Sequence, residues 1–218
     1  MTRTPVAHGL NRAEESSGRT PARPVDPETM EIRATAIPEV RILTPRRFGD
    51  ARGFFSETWN AAAMAAAGLD LTFVQDNESL SARAGTLRGL HYQAPPFAQT
   101  KLVRVNRGAI LDVAVDVRRG SPTYGKWVAE EISAVNGAQI LVPKGFLHGY
   151  LTLTEDTLVL YKVDNPYDAD SDGGVAWNDP DIAVDWGIHA ESAILSDKDT
   201  KAPRFADWVS PFEYGVTA

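Results

Sequence analysis

Leu87-Arg88-Gly89-Leu90-His91-Tyr92-Gln93, followed at Lys101-Leu102-Val103-Arg104, sets one histidine and one lysine among strand-forming residues, with no cysteine and no second histidine beside them. That is an inventory for moving a proton, not for holding a metal. A histidine alone in a strand is ordinarily a satisfied core or surface residue, and a strand lysine is ordinarily solvated. The segment therefore gains meaning only from what the rest of the chain brings to it.

Downstream, Gly137-Ala138-Gln139-Ile140-Leu141-Val142-Pro143-Lys144-Gly145-Phe146-Leu147-His148 has the G-x5-P-x-G-x2-H spacing of the second cupin motif, a strand, a Pro/Gly turn and a further strand at one corner of a small β-barrel. In metal-binding cupins the first motif opens G-x5-H-x-H. Here Gly85 and His91 satisfy its first half, and Gln93 stands where the second histidine would be. A catalytic divalent ion wants about three protein ligands, and His91 with His148 supplies two, so no metal is expected unless Gln93 or a glutamate completes the set.

The composition fits a cytoplasmic enzyme. A chain of 218 residues holds one domain with a sizeable core, whereas two full domains would be cramped. The absence of cysteine excludes a disulfide scaffold and thiol chemistry. A net charge of -7 argues against nucleic-acid binding as the main activity. No apolar run approaches a membrane span, and the first residues lack the apolar core of a secretion signal.

The elements that must position these residues read as follows. Residues 1–30 are polar, punctuated by proline and without apolar periodicity, as expected of a disordered extension, with a single folded domain over 31–218. A short strand is expected at Val40-Arg41-Ile42-Leu43. One helix is expected over 60–67, capped by Asn60, favoured by alanine and stopped by Gly68. Beyond Leu71 the pattern turns to strands. From 111 to 117, Leu111, Val113, Val115 and Val117 share one face while Asp112, Ala114 and Asp116 share the other, so the second face lines a polar cavity or meets water. Further strands are expected over 128–133, 139–142, 150–152 and 157–163, separated by turns. Many short strands at regular spacing indicate a sandwich or barrel, and the cupin-like spacing selects a mainly β jelly roll with a few short helices.

Ten segments then occur in register with the signatures of one family. They include Asp50-Ala51-Arg52-Gly53-Phe54-Phe55-Ser56-Glu57, Phe73-Val74-Gln75-Asp76-Asn77, the His91 and Lys101 segments, Pro143-Lys144-Gly145-Phe146-Leu147-His148-Gly149, Leu160-Tyr161-Lys162 and Leu195-Ser196-Asp197-Lys198-Asp199. From about Ile42 to Pro203 the chain resembles the dTDP-4-dehydrorhamnose 3,5-epimerases. The resemblance implies a dTDP-linked 4-keto-6-deoxyhexose as substrate, no cofactor, a homodimer, and neither nucleic-acid nor membrane partners. In such a sugar the C3 and C5 protons lie α to the C4 carbonyl and are acidified by enolate formation. Inversion then needs a base on one face, an oxyanion stabiliser, and an acid on the other face.

By resemblance His91 is that base, and an imidazole with its pKa near working pH suits the task. Asp199 matches the carboxylate that orients the ring, Tyr161 the opposite-face acid, and Lys101 the cation that stabilises charge on the C4 oxygen. Arg52, Arg88 and Lys198 match the cations that hold phosphate, since no Gly-rich loop opens a helix here. Glu57, Gln75, Asn77, His148 and Asp172 match further nucleotide or sugar contacts, and Phe55 and Tyr167 offer aromatic faces. Two departures stand out. Asp172 replaces a frequent glutamate, so the shorter carboxylate is expected to reach its partner through water. Pro166 replaces a second aromatic and restrains the loop bearing Tyr167, which leaves a single-carbon epimerase or keto-isomerase open. A sugar-nucleotide-binding cupin without catalysis, or a metal-dependent cupin oxygenase or isomerase, would account for fewer of these residues. One geometric question also stands: Arg88 lies three residues from His91 and would face the opposite side of an ideal strand, unless Gly89 permits a bulge.

Overall fold

The computed structural model describes residues 29–216, so the extension expected over 1–30 lies outside the described residues up to position 28. The strands are β1 (Met30–Ala34), β2 (Arg41–Pro45), β3 (Phe48–Asp50), β4 (Gly53–Phe55), β5 (Gln75–Ser81), β6 (Leu87–Gln93) and β7 (Lys101–Arg107). They continue with β8 (Ala109–Asp116), β9 (Trp127–Ser133), β10 (Gln139–Val142), β11 (Phe146–Thr152), β12 (Thr157–Val163) and β13 (Asp172–Gly174). A six-stranded sheet runs β1-β2-β10-β7-β12-β5 and a five-stranded sheet runs β13-β6-β11-β8-β9, while β3 and β4 form a separate hairpin. From β5 to β8, and again from β10 to β12, successive strands alternate between the two sheets. This is the mainly β, cupin-type jelly roll that the turn spacing indicates.

Helix α1 (Ala61–Ala66) forms where the alanine run predicts it. The side chain of Asn60 accepts from the backbone N–H of Ala63 at 3.1 Å, and Gly68 takes a φ of +79° just past the end. Its Met64 packs with Leu69 on Leu43, Leu102 and Leu141, covering part of the outer face of the six-stranded sheet. The outer face of the five-stranded sheet, with Val113, Val115, Leu147 and Leu151, is covered by the C-terminal chain through Trp177, Ile182, Trp186 and Phe212. Between the sheets Val103, Ile140 and Val159 meet Ile110, Ala114, Ile132 and Phe146. Each sheet thus buries apolar groups on both faces, which is why β11 is buried along its whole length.

That layering settles the two-faced strand read at 111–117. Its acidic face points between the sheets, and both Asp112 and Asp116 are fully buried. Asp116 is neutralised by Arg118 and accepts from the hydroxyls of Ser121 and Thr123. Strand β11 also begins four residues earlier than the apolar pattern suggests, taking in His148 and Gly149. Among the described residues, no helix is long and apolar enough to cross a membrane.

Candidate active site

His91 lies near the end of β6, with its ring Nε2 2.5 Å from Oδ1 of Asp199, a residue 108 positions further along the chain. The Ser196 hydroxyl donates to the other carboxylate oxygen at 2.8 Å. Burial alone would push the Asp199 carboxyl up, but the hydrogen bond and charge of His91, with Ser196 and Lys198, hold it below the ordinary value. A carboxylate so held keeps Nε2 as the protonated nitrogen and leaves the Nδ1 lone pair for a substrate proton.

The parity question at Arg88 resolves into a bulge. In the ladder His91 faces His148 and Arg88 faces Tyr150, so three steps on β6 oppose two on β11. Gly89 makes this possible. Its φ is +142°, and a Cβ there would lie 2.5 Å from the Cα of Gly149, so two glycines touch where the strands cross. Arg88 and His91 consequently line the same cavity, of about 390 Å³, with Lys101, His148, Tyr161 and Asp199.

Lys101 opens β7 and Tyr161 sits on β12, both in the sheet opposite His91. Desolvation lowers the Lys101 ammonium from its usual range to about 8, with the nearby Asp172 and Asp112 carboxylates opposing the fall and Lys198 adding to it. Burial raises the Tyr161 phenol; Arg88 opposes this and Asp172 reinforces it. The phenol therefore keeps its proton at neutral pH.

A second chamber, also of about 390 Å³, adjoins the first and shares His91, Lys101 and Tyr161 with it. Gln75, Asn77, Tyr167, Asp172 and Lys198 line this chamber. Asp172 accepts directly from the Lys198 ammonium. The loop carrying Tyr167 is fixed by glutamines. Gln93 donates to Phe97 O at 2.7 Å and Pro166 O at 3.1 Å and accepts from Asp168 N at 2.9 Å, while Gln75 accepts from Tyr167 N at 3.0 Å. The residue standing at a cupin ligand position has its amide committed to backbone. Among the described residues, no three of His, Asp and Glu gather into a metal-holding group.

Two His–Asp pairs lie side by side, since His148 Nε2 stands 3.0 Å from both oxygens of Asp112. Access separates them. The His91 side chain is 28% exposed and that of His148 9%, and only His91 lines both chambers. Arg52, Phe55 and Glu57 are not brought to either chamber. Arg52 pairs with Asp50 in the β3–β4 hairpin, Glu57 accepts from Asn60, and Phe55 is 71% exposed. Sequence reasoning missed Ser196, Gln93 as a loop brace, and Asp112 as the partner of His148. Only the inward face of β8 hinted at the last of these.

A family model described as dTDP-4-dehydrorhamnose 3,5-epimerase matches residues 34–207. The chain is 50% identical over 187 residues to the dTDP-4-dehydrorhamnose 3,5-epimerase of Sinorhizobium fredii, spanning 86% of this chain and 95% of that protein. The crystal structure of the Bacillus anthracis enzyme of that name, with TDP and pyrophosphate bound, superposes with a TM-score of 0.78 at 50% identity, covering 81% of this chain and 100% of the other. The dTDP-6-deoxy-D-glucose-3,5-epimerase of Legionella pneumophila, in complex with dTDP-4-keto-L-rhamnose, gives 0.77 at 42% identity, with 80% and 92% covered.

Proposed function

Because the chain belongs to the dTDP-4-dehydrorhamnose 3,5-epimerase family, we propose that this isomerase inverts C3 and C5 of dTDP-4-dehydro-6-deoxyglucose to give dTDP-4-dehydro-L-rhamnose. His91 removes the proton α to the C4 carbonyl, and Asp199 holds the ring and stabilises the imidazolium. Lys101 faces the C4 oxygen and stabilises charge that develops only as the proton leaves. Tyr161 protonates the enolate from the other side, and a second round inverts the second carbon. The chemistry needs neither metal nor other cofactor.

The observation carrying this reading is that His91 and Tyr161 stand on opposite sheets yet line the same chambers, with Lys101 beside them. A sugar ring between the sheets meets a base on one face and an acid on the other. Among the described residues, the one guanidinium lining the chambers is that of Arg88, which with His148 in the first chamber and the Lys198 ammonium in the second receives the diphosphate. Tyr167, Gln75, Asn77 and Asp172 take the nucleoside side.

A homodimer completes the site, with Arg52, Phe55 and Glu57 acting on the partner's substrate from the β3–β4 hairpin. Supporting this, Phe54 and Phe55 are 62% and 71% exposed side by side, an apolar pair suited to contact with a partner, and the neighbouring Arg52 side chain is 90% exposed. The place of action is the cytoplasm. Incubation with dTDP-4-dehydro-6-deoxyglucose in deuterated water tests the reaction: deuterium should enter at both C3 and C5 in the presence of chelator. No exchange at either carbon would defeat the assignment.

A further inference from the structure

Two hydroxyls in the first chamber have no part in this mechanism. Ser79 on β5 and Tyr150 on β11 come from opposite sheets, line the chamber with Arg88 and Tyr161, and bond to each other at 2.7 Å. Neither oxygen has a second protein partner among the described residues. Each hydroxyl carries one hydrogen, and their mutual bond uses one of the two. Whichever atom donates, one O–H is left at the chamber. Beside it Arg88, opposite Tyr150 in the ladder, makes only long bonds of 3.4 Å to Ser81 Oγ and Leu80 O. Burial raises the Tyr150 phenol, against the opposing effects of Ser79 and Arg88, so the group is a neutral donor.

Resting on the function given above, we propose that the Ser79–Tyr150 pair is a substrate-binding element whose remaining O–H donates to an oxygen of the nucleotide sugar beside Arg88. Such a bond adds direction to the charge that Arg88 supplies. The acceptor is a phosphoryl oxygen or a sugar oxygen, and the two are separable by experiment.

The test uses Ser79→Ala, Tyr150→Phe and the double variant in the full chain, read by the dissociation constant for dTDP, by KM for the nucleotide sugar and by thermal unfolding. Tyr150→Phe keeps the ring in the inter-sheet core, where Tyr150 is buried. A substrate donor made of two hydroxyls is partly redundant, because removing either one frees the O–H of the other. Each single variant should therefore weaken binding by only about two- to fivefold, and the double variant by about ten- to a hundredfold, the usual worth of a bond to a charged or strongly polar acceptor. A mere tie between the sheets predicts the reverse pattern, with each single variant as damaging as the double. Weakened dTDP binding in the double variant identifies a phosphoryl oxygen. Unchanged dTDP binding with a raised KM identifies a sugar oxygen. Singles equal to the double, or a double variant within about twofold of wild type in both readings, would overturn the proposal. Failure of the wild-type protein to turn over the nucleotide sugar would instead defeat the functional assignment.

Discussion

The role proposed for Lys101 requires its charge, and this has a consequence for pH. Burial brings its ammonium down to about 8, and the charged form exists below that value. The kcat/KM for epimerisation should therefore fall on the alkaline side of about pH 8, approaching about tenfold per unit. In Lys101→Arg, whose guanidinium does not titrate in this range, whatever activity survives should lack that limb. A wild-type profile flat to pH 10 would show that the ammonium is not needed. Asp199 gives the complementary case. Asp199→Asn keeps the shape but cannot stabilise the imidazolium, so kcat should drop by about a hundred- to ten-thousandfold with little change in KM. An equal rise in KM without loss of kcat would make Asp199 a binding residue only.

Among the elements, the strands over 139–142 and 157–163 and the alanine helix were legible in the sequence, because alternation and capping are local. What cannot be read locally depends on the strand across the ladder. Gly89 marked the possible bulge in the sequence, but what lets Arg88 and His91 share a chamber is its contact with Gly149 on β11, sixty residues along the chain. The same holds for Gln93, whose loop partners lie at Phe97, Pro166 and Asp168, and for Asp112, whose inward direction follows from a second layer of core over the outer face of its sheet. The roles proposed for His91, Lys101, Tyr161 and Asp199, by contrast, were legible through segments in register with a family rather than through local physics. Gly89→Ala tests the bulge. It adds a Cβ against backbone at a φ that side chains avoid, so stability should fall by about 2–4 kcal/mol in denaturant titration, with activity lost in the fraction that folds. A variant with wild-type stability and rate would mean that the two strands can pair without the glycine contact.

For the whole molecule, the proposed homodimer has the hairpin residues Arg52 and Phe55 act on the neighbouring chain, so two inactive variants can repair each other. When Arg52→Ala and His91→Ala chains are mixed and allowed to exchange, half the dimers are mixed, and one site in each has both residues intact. Activity should recover to about a quarter of wild type, against none if Arg52 acts within its own chain. In the proposed reaction the two sheets serve opposite faces of the sugar ring, which Tyr161→Phe in deuterated water probes. That variant retains His91 and Lys101, so the enolate still forms and is reprotonated on the face it left. Deuterium should enter the sugar while inversion falls by about a hundred- to ten-thousandfold. Inversion at the wild-type rate would contradict the account, because some group other than Tyr161 would then be delivering the proton from the second face.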